Sequence, residues 1–79
     1  MLTVYSKDAC PNCVNAINYL VERNVEFKVL KIVAEVTDSE KEIDRMDFIQ
    51  MFPSVRTAPY IVDEEGNSYA NLNALRAAF

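Results

Sequence analysis

Apolar and polar residues along this chain follow two periods, and each change of period marks an element. Leu2-Thr3-Val4-Tyr5 is β-branched and aromatic, which predicts a first strand. Ser6 to Cys10 is a polar loop. Pro11 suits a first helical position, where its missing N–H goes unused, and it opens a helix predicted to run to Arg23. Val14, Ile17, Leu20 and Val21 are expected to form its apolar face. Asn24 suits the left-handed residue just past its end. In Val25–Val33, Val25, Phe27 and Val29 alternate with Glu26 and Lys28, which predicts a second strand.

The second half is patterned less strongly. Ser39 with Glu42 three residues later reads as a capping box, so a second helix is expected from near Glu40. Ile43, Met46, Ile49 and Phe52 would be its apolar stripe, and Pro53 its end. Pro59-Tyr60-Ile61-Val62 is a short strand that begins on a proline, where no ladder N–H is needed. Asp63 to Asn67 is turn chemistry, and Ser68-Tyr69-Ala70 a weak fourth strand. Leu72, Leu75 and Phe79 space a last helix that Asn71 can cap. The order is β-α-β-α-β-β-α, one α/β domain over residues 1–79. A four-stranded mixed sheet flanked by three helices follows, parallel at its start and closed by an antiparallel hairpin.

Composition narrows the chemistry. At 79 residues, folding removes only roughly 60% of the unfolded chain's surface from water, so the core is small. The single glycine excludes Gly-rich phosphate loops, and the absence of histidine removes the usual general base and most zinc-site designs. Twelve acids against eight bases leave a net charge of −4, which argues against a nucleic-acid partner. No apolar run approaches the about 20 residues that span a bilayer, so no membrane role is expected.

The two cysteines, Cys10 and Cys13, carry the chemistry. A three-residue step closes too small a loop to constrain the unfolded chain much. No signal peptide is read ahead of them, and a reducing cytoplasm is the expected setting. Cys10 would sit at the N-cap of the first helix, where unpaired N–H groups and the positive end of the helix dipole favour an anion. A thiolate is the nucleophile of disulfide exchange, and Cys13, one turn on, can attack a mixed disulfide formed at Cys10. Half of a zinc site shared between chains and two inert buried cysteines remain as alternatives. A pair that opens a helix after a strand favours redox chemistry.

Val4-Tyr5-Ser6-Lys7-Asp8-Ala9-Cys10-Pro11-Asn12-Cys13 resembles the opening of a glutaredoxin. Arg56-Thr57-Ala58-Pro59-Tyr60-Ile61 resembles that family's loop with a cis-proline ahead of a strand. The spacing of the two blocks and the final helix fit as well. The likeness covers nearly the whole chain and is greatest to the short dithiol glutaredoxins that bacteriophages encode. It implies a thioredoxin fold and a cytoplasmic enzyme, in the host cytoplasm if a phage encodes it. The activity implied is thiol–disulfide exchange through a redox-active Cys10–Cys13 pair, with Cys10 attacking and Cys13 resolving. Glutathione is implied as reductant, with no metal. Disulfide-containing proteins, ribonucleotide reductase among them, are implied as substrates of a monomer.

The resemblance also implies a ligand site. Lys7 and Arg56 would meet glutathione carboxylates. Thr57, Ala58 and Pro59 would form the cis-proline loop, with the Ala58 backbone pairing with the ligand. Pro11, Asn12, Asn71, Leu72 and Asn73 would complete the surround. Two departures stand out. Asn12 replaces a tyrosine common in the family, and Ala70-Asn71-Leu72-Asn73 replaces the family's Gly-Gly pair and following acid. Asn73 can accept a hydrogen bond but brings no charge to the γ-glutamyl ammonium. A thioredoxin-like reductant recycled by thioredoxin reductase therefore stands as one alternative. A glutathione-bound iron–sulfur module is another.

Overall fold

The computed structural model describes residues 1–79, and its elements grow outward from one central strand. In chain order they are β1 (Leu2–Ser6), α1 (Pro11–Glu22), β2 (Phe27–Val33), β3 (Glu42–Asp44), α2 (Arg45–Met51), β4 (Tyr60–Val62), β5 (Ser68–Tyr69) and α3 (Leu72–Ala78). The sheet order is β3-β2-β1-β4-β5. β1 pairs parallel with β2, Val4 opposite Val29, and antiparallel with β4, Val4 opposite Ile61. A strand covered on both faces shows no clean alternation. In β1, accordingly, Leu2, Val4, Tyr5 and Ser6 are all buried.

The two faces of β1 separate two cores. Leu2 and Val4 join Ile61 of β4, Ala16 and Leu20 of α1 and Leu75 of α3. Val4, Leu20, Ile61 and Leu75 are fully buried there. Each such side chain contributes about 1.5–3 kcal/mol by leaving water. On the other face Tyr5 meets the rings of Phe48 from α2 and of Phe52 just past its end at 5.1 and 5.3 Å, and Phe52 meets Tyr60 of β4 at 4.9 Å. These are favourable tilted and edge-on spacings. Burial, with Tyr60 adding to it, raises the Tyr5 hydroxyl above its ordinary pKa. The sheet thus carries α1 and α3 on one face and α2 on the other.

Three expectations change. The sheet has five strands rather than four, because Glu42-Ile43-Asp44 pairs parallel with Lys31-Ile32-Val33. Ser39 and Glu42 do not cap a helix. The Glu42 carboxylate instead accepts the Thr37 N–H at 2.8 Å, the Asp38 N–H at 3.0 Å and the Thr37 hydroxyl at 3.1 Å. Those bonds close a turn that leads into β3. α2 begins only at Arg45, capped by Asp44, whose carboxylate accepts the Met46 N–H at 2.7 Å. Its inward residue is Phe48, joined one turn on by the capping Phe52, while Met46 and Ile49 are exposed.

On α1 the buried face is Cys13, Ala16 and Leu20. Ile17 packs at its edge, whereas Val14 and Val21 are exposed. Ala16 lets the helix lie close on the sheet, which turns Val14 outward. The remaining punctuation acts as read. Asn24 adopts φ 57°, and the Ala74 N–H donates to the Asn71 side chain at 2.9 Å to cap α3. In the hairpin turn the Asp63 carboxylate accepts the Asn67 N–H at 2.8 Å and the Glu65 N–H at 2.9 Å, with Gly66 at φ 89°.

Candidate active site

The chain leaves β1 at Ser6 and must reverse into α1 within four residues. Ala9 makes that turn at φ 53°, a left-handed backbone that costs a residue with a Cβ roughly 1–2 kcal/mol. The Asp8 carboxylate pairs with Lys31 of β2 at 3.3 Å. Both side chains face water, so the pair adds at most about 1 kcal/mol. The turn delivers Cys10 to the N-cap of α1 in extended backbone, with Pro11 as the first helical residue.

There the Cys10 sulfur accepts the Cys13 N–H at 3.2 Å, and the Cys10 carbonyl accepts the N–H groups of Cys13 at 3.1 Å and Val14 at 3.2 Å. Cys10 and Cys13 are joined as a disulfide, with their Cα atoms 5.3 Å apart. Exposure is 8% at Cys10 and 2% at Cys13. An incoming disulfide therefore meets Cys10 first. The Cys10 Sγ lies 3.9 Å from the carbonyl oxygen of Ala58, and the Ala58–Pro59 peptide is cis.

One groove holds this disulfide, and two more meet at Thr57 and Ala58 beside it. The first, of about 570 Å³, holds Lys7, Cys10, Pro11 and Cys13, with Val14 and Ile17 on its apolar side. A second, of about 450 Å³, runs between Asn12 and Asn15 of α1, the Thr57–Pro59 loop and Ala70 to Asn73. Its lining contains no charged side chain. A third, of about 380 Å³, carries Lys7, Arg45, Arg56, Thr57 and Ala58. Every residue singled out in the sequence borders one of these grooves. Lys7 and Ala58 border two each, and Thr57 likewise. Arg56 also donates to the Pro53 carbonyl at 3.2 Å, which holds its guanidinium near the loop.

Sequence reading misses Val14, Asn15 and Arg45 as groove residues. Asn15 is open to discovery, since it lies one turn from Asn12. Arg45 is not, because reading Glu42 as a cap conceals where α2 begins. No three His, Cys, Asp or Glu side chains stand together in ligand range. No helix is long and apolar enough to cross a membrane.

Comparison with known proteins follows the same lines. A family model described as glutaredoxin matches residues 2–65. No curated protein matches the chain in sequence. Among solved structures, the thioredoxin-like protein BC3987 is similar with a TM-score of 0.71 at 18% identity, over 100% of both chains. A mutant of that protein gives 0.69 at 18% identity, over 99% of this chain and 95% of that one. Glutaredoxin 1 from Francisella tularensis, complexed with cacodylate, gives 0.68 at 20% identity, over 96% of this chain and 87% of that one. These likenesses show a thioredoxin-like fold.

Proposed function

The chain belongs to the glutaredoxin family, a family of thiol–disulfide oxidoreductases, and from that premise we propose a dithiol glutaredoxin that uses glutathione to reduce protein disulfides and glutathione mixed disulfides. The Cys10 thiolate attacks one sulfur of the substrate and releases the other as a thiolate. Cys13, deprotonated in turn, attacks the mixed disulfide at Cys10, releases the second substrate thiol and leaves the Cys10–Cys13 disulfide. Two glutathione molecules then restore the dithiol and leave as glutathione disulfide, so electrons and atoms balance.

One observation carries this reading: Cys10 caps α1 with its sulfur on the Cys13 N–H, in a groove open to an incoming disulfide. Hydrogen bonds to a charged group are worth about 1.5–3 kcal/mol, and the helix terminus adds 0.3–1 kcal/mol, roughly. Both favour the thiolate over the thiol. Lys7 and Arg56 suit the carboxylates of glutathione, and the backbone of Ala58 suits its cysteine. Asn71 caps α3 and lines the neutral groove, and Asn12, Thr57, Pro59, Leu72 and Asn73 shape its surround, with Pro11 beside the disulfide.

That neutral groove favours a second reading. With no acid among its lining residues, nothing there matches the ammonium of glutathione. A thioredoxin-like reductant recycled by thioredoxin reductase would need no such match. Running glutathione with glutathione reductase beside thioredoxin reductase, on one disulfide substrate, separates the two. The first reading expects turnover in the glutathione arm. Turnover only in the thioredoxin reductase arm overturns it.

A further inference from the structure

The groove floored by α2 is set apart by its charge. The chain carries a net −4, yet three of its eight bases, Lys7, Arg45 and Arg56, line this one cavity of about 380 Å³. No acidic side chain lines it. The two ion pairs of the molecule, Met1–Glu64 and Lys31–Asp8, involve none of the three. Between the cations lie Phe48, Ile49 and Val55, and Ile49 is 43% exposed. Unpaired cations around exposed apolar carbon match a ligand that brings both carboxylates and an apolar side chain. Small carboxylates alone would leave the Ile49 surface in water.

The groove also stands in reach of the chemistry. Lys7 borders the disulfide groove as well, and Ala58, which lines the cationic groove, places its carbonyl 3.9 Å from the Cys10 sulfur. A chain segment seated over Ile49 therefore runs toward Cys10. We propose that this groove is the docking site for an acidic, apolar segment flanking the disulfide of a protein substrate. Arg45 and Ile49 act as specificity-determining residues, and the occupant is a peptide segment rather than nucleic acid, whose phosphates would gain nothing from the apolar floor. The proposal rests on the exchange reading for its purpose, but its binding step needs no redox chemistry.

The test titrates the whole chain against a fluorescein-labelled, cysteine-free peptide that alternates Glu with Leu and Phe, read by anisotropy. A counterpart with Lys for Glu, and a single-stranded oligonucleotide of similar length, are run beside it. The acidic peptide should bind about tenfold tighter than its basic counterpart and weaken in high salt, as expected of several partly exposed charge pairs. Arg45→Gln should weaken it about fivefold, and Arg45→Lys should recover part of that loss. Arg45 is exposed, so both variants should fold, which circular dichroism checks. Equal binding of acidic and basic peptides, or no change with Arg45→Gln, overturns the proposal. An oligonucleotide binding as tightly as the peptide overturns it too, by marking an unselective anion patch. Turnover of a small neutral disulfide by the unsubstituted chain is measured separately. Its absence beside intact peptide binding overturns the exchange reading and supports docking.

Discussion

Cys10 owes its position to single residues on either side of it. Ala9 accepts a left-handed backbone so that the chain can turn, and Pro11 starts the helix without an N–H to satisfy. The sulfur then accepts the Cys13 N–H. In the reduced protein these contacts should hold the Cys10 thiol below the about 8.5 of a free cysteine. Alkylation of the reduced chain by iodoacetamide, followed against pH, should show Cys10 reacting at a pH where a free thiol is still protonated, with Cys13 lagging. A Cys10 that titrates like a free thiol would show that the N-cap does not activate it. This much was legible in the sequence, because a Cys-x-x-Cys with proline inside it specifies both a helix start and a pair of sulfurs one turn apart. The conformation of Ala9 was not legible, since nothing in an alanine announces a positive φ.

At the scale of elements, reading failed where one carboxylate had two uses. Glu42 looked like the reciprocal partner of a Ser39 cap. Instead it takes N–H groups from Thr37 and Asp38, which frees Ile43 to pair as a strand. A capping box and such a turn use the same residue types at neighbouring spacings, and the choice is made by pairing with β2, a contact remote in sequence. The Thr37 N–H, foremost, with the Asp38 N–H and the Thr37 hydroxyl, holds the Glu42 carboxyl below its ordinary range. A depressed folded-state pKa stabilises fully above the ordinary carboxylate range, and that contribution is lost as pH falls through the folded value. Glu42→Gln should therefore lower Tm at neutral pH, and the gap to the parent should narrow as pH falls below the ordinary carboxylate range. Thermal scans across pH check this. A gap that stays constant or widens on acidification would show that the carboxylate charge does not hold the turn. The strands and helices around β1 read more surely because β-branched runs, Pro11, Asn24 and Asn71 punctuate them. The sequence does not mark Val14 and Val21 as exposed, because apolar residues lie on more than one side of α1, and only packing shows that Ala16 faces the sheet.

Across the whole molecule, charge and function are arranged unevenly. Residues 1–31 hold four bases and three acids, and residues 32–79 four bases and nine acids. Folding nevertheless returns Arg45 and Arg56 from the acidic half to the side of Lys7, so the disulfide groove has a cationic groove beside it that shares Lys7. No linear reading of charge shows that convergence, since it depends on β3 joining the sheet edge beside β2 and on α2 packing on the face opposite α1 and α3. The reaction proposed for this site is exchange between Cys10 and glutathione. Its most direct test is to incubate the reduced Cys13→Ser variant with glutathione disulfide and follow the intact mass. The Cys10 thiolate should displace one glutathione thiolate and gain a single glutathionyl group, mapped to Cys10, much faster than an unfolded cysteine peptide does. No adduct, or one formed only at the peptide's rate, would contradict the account.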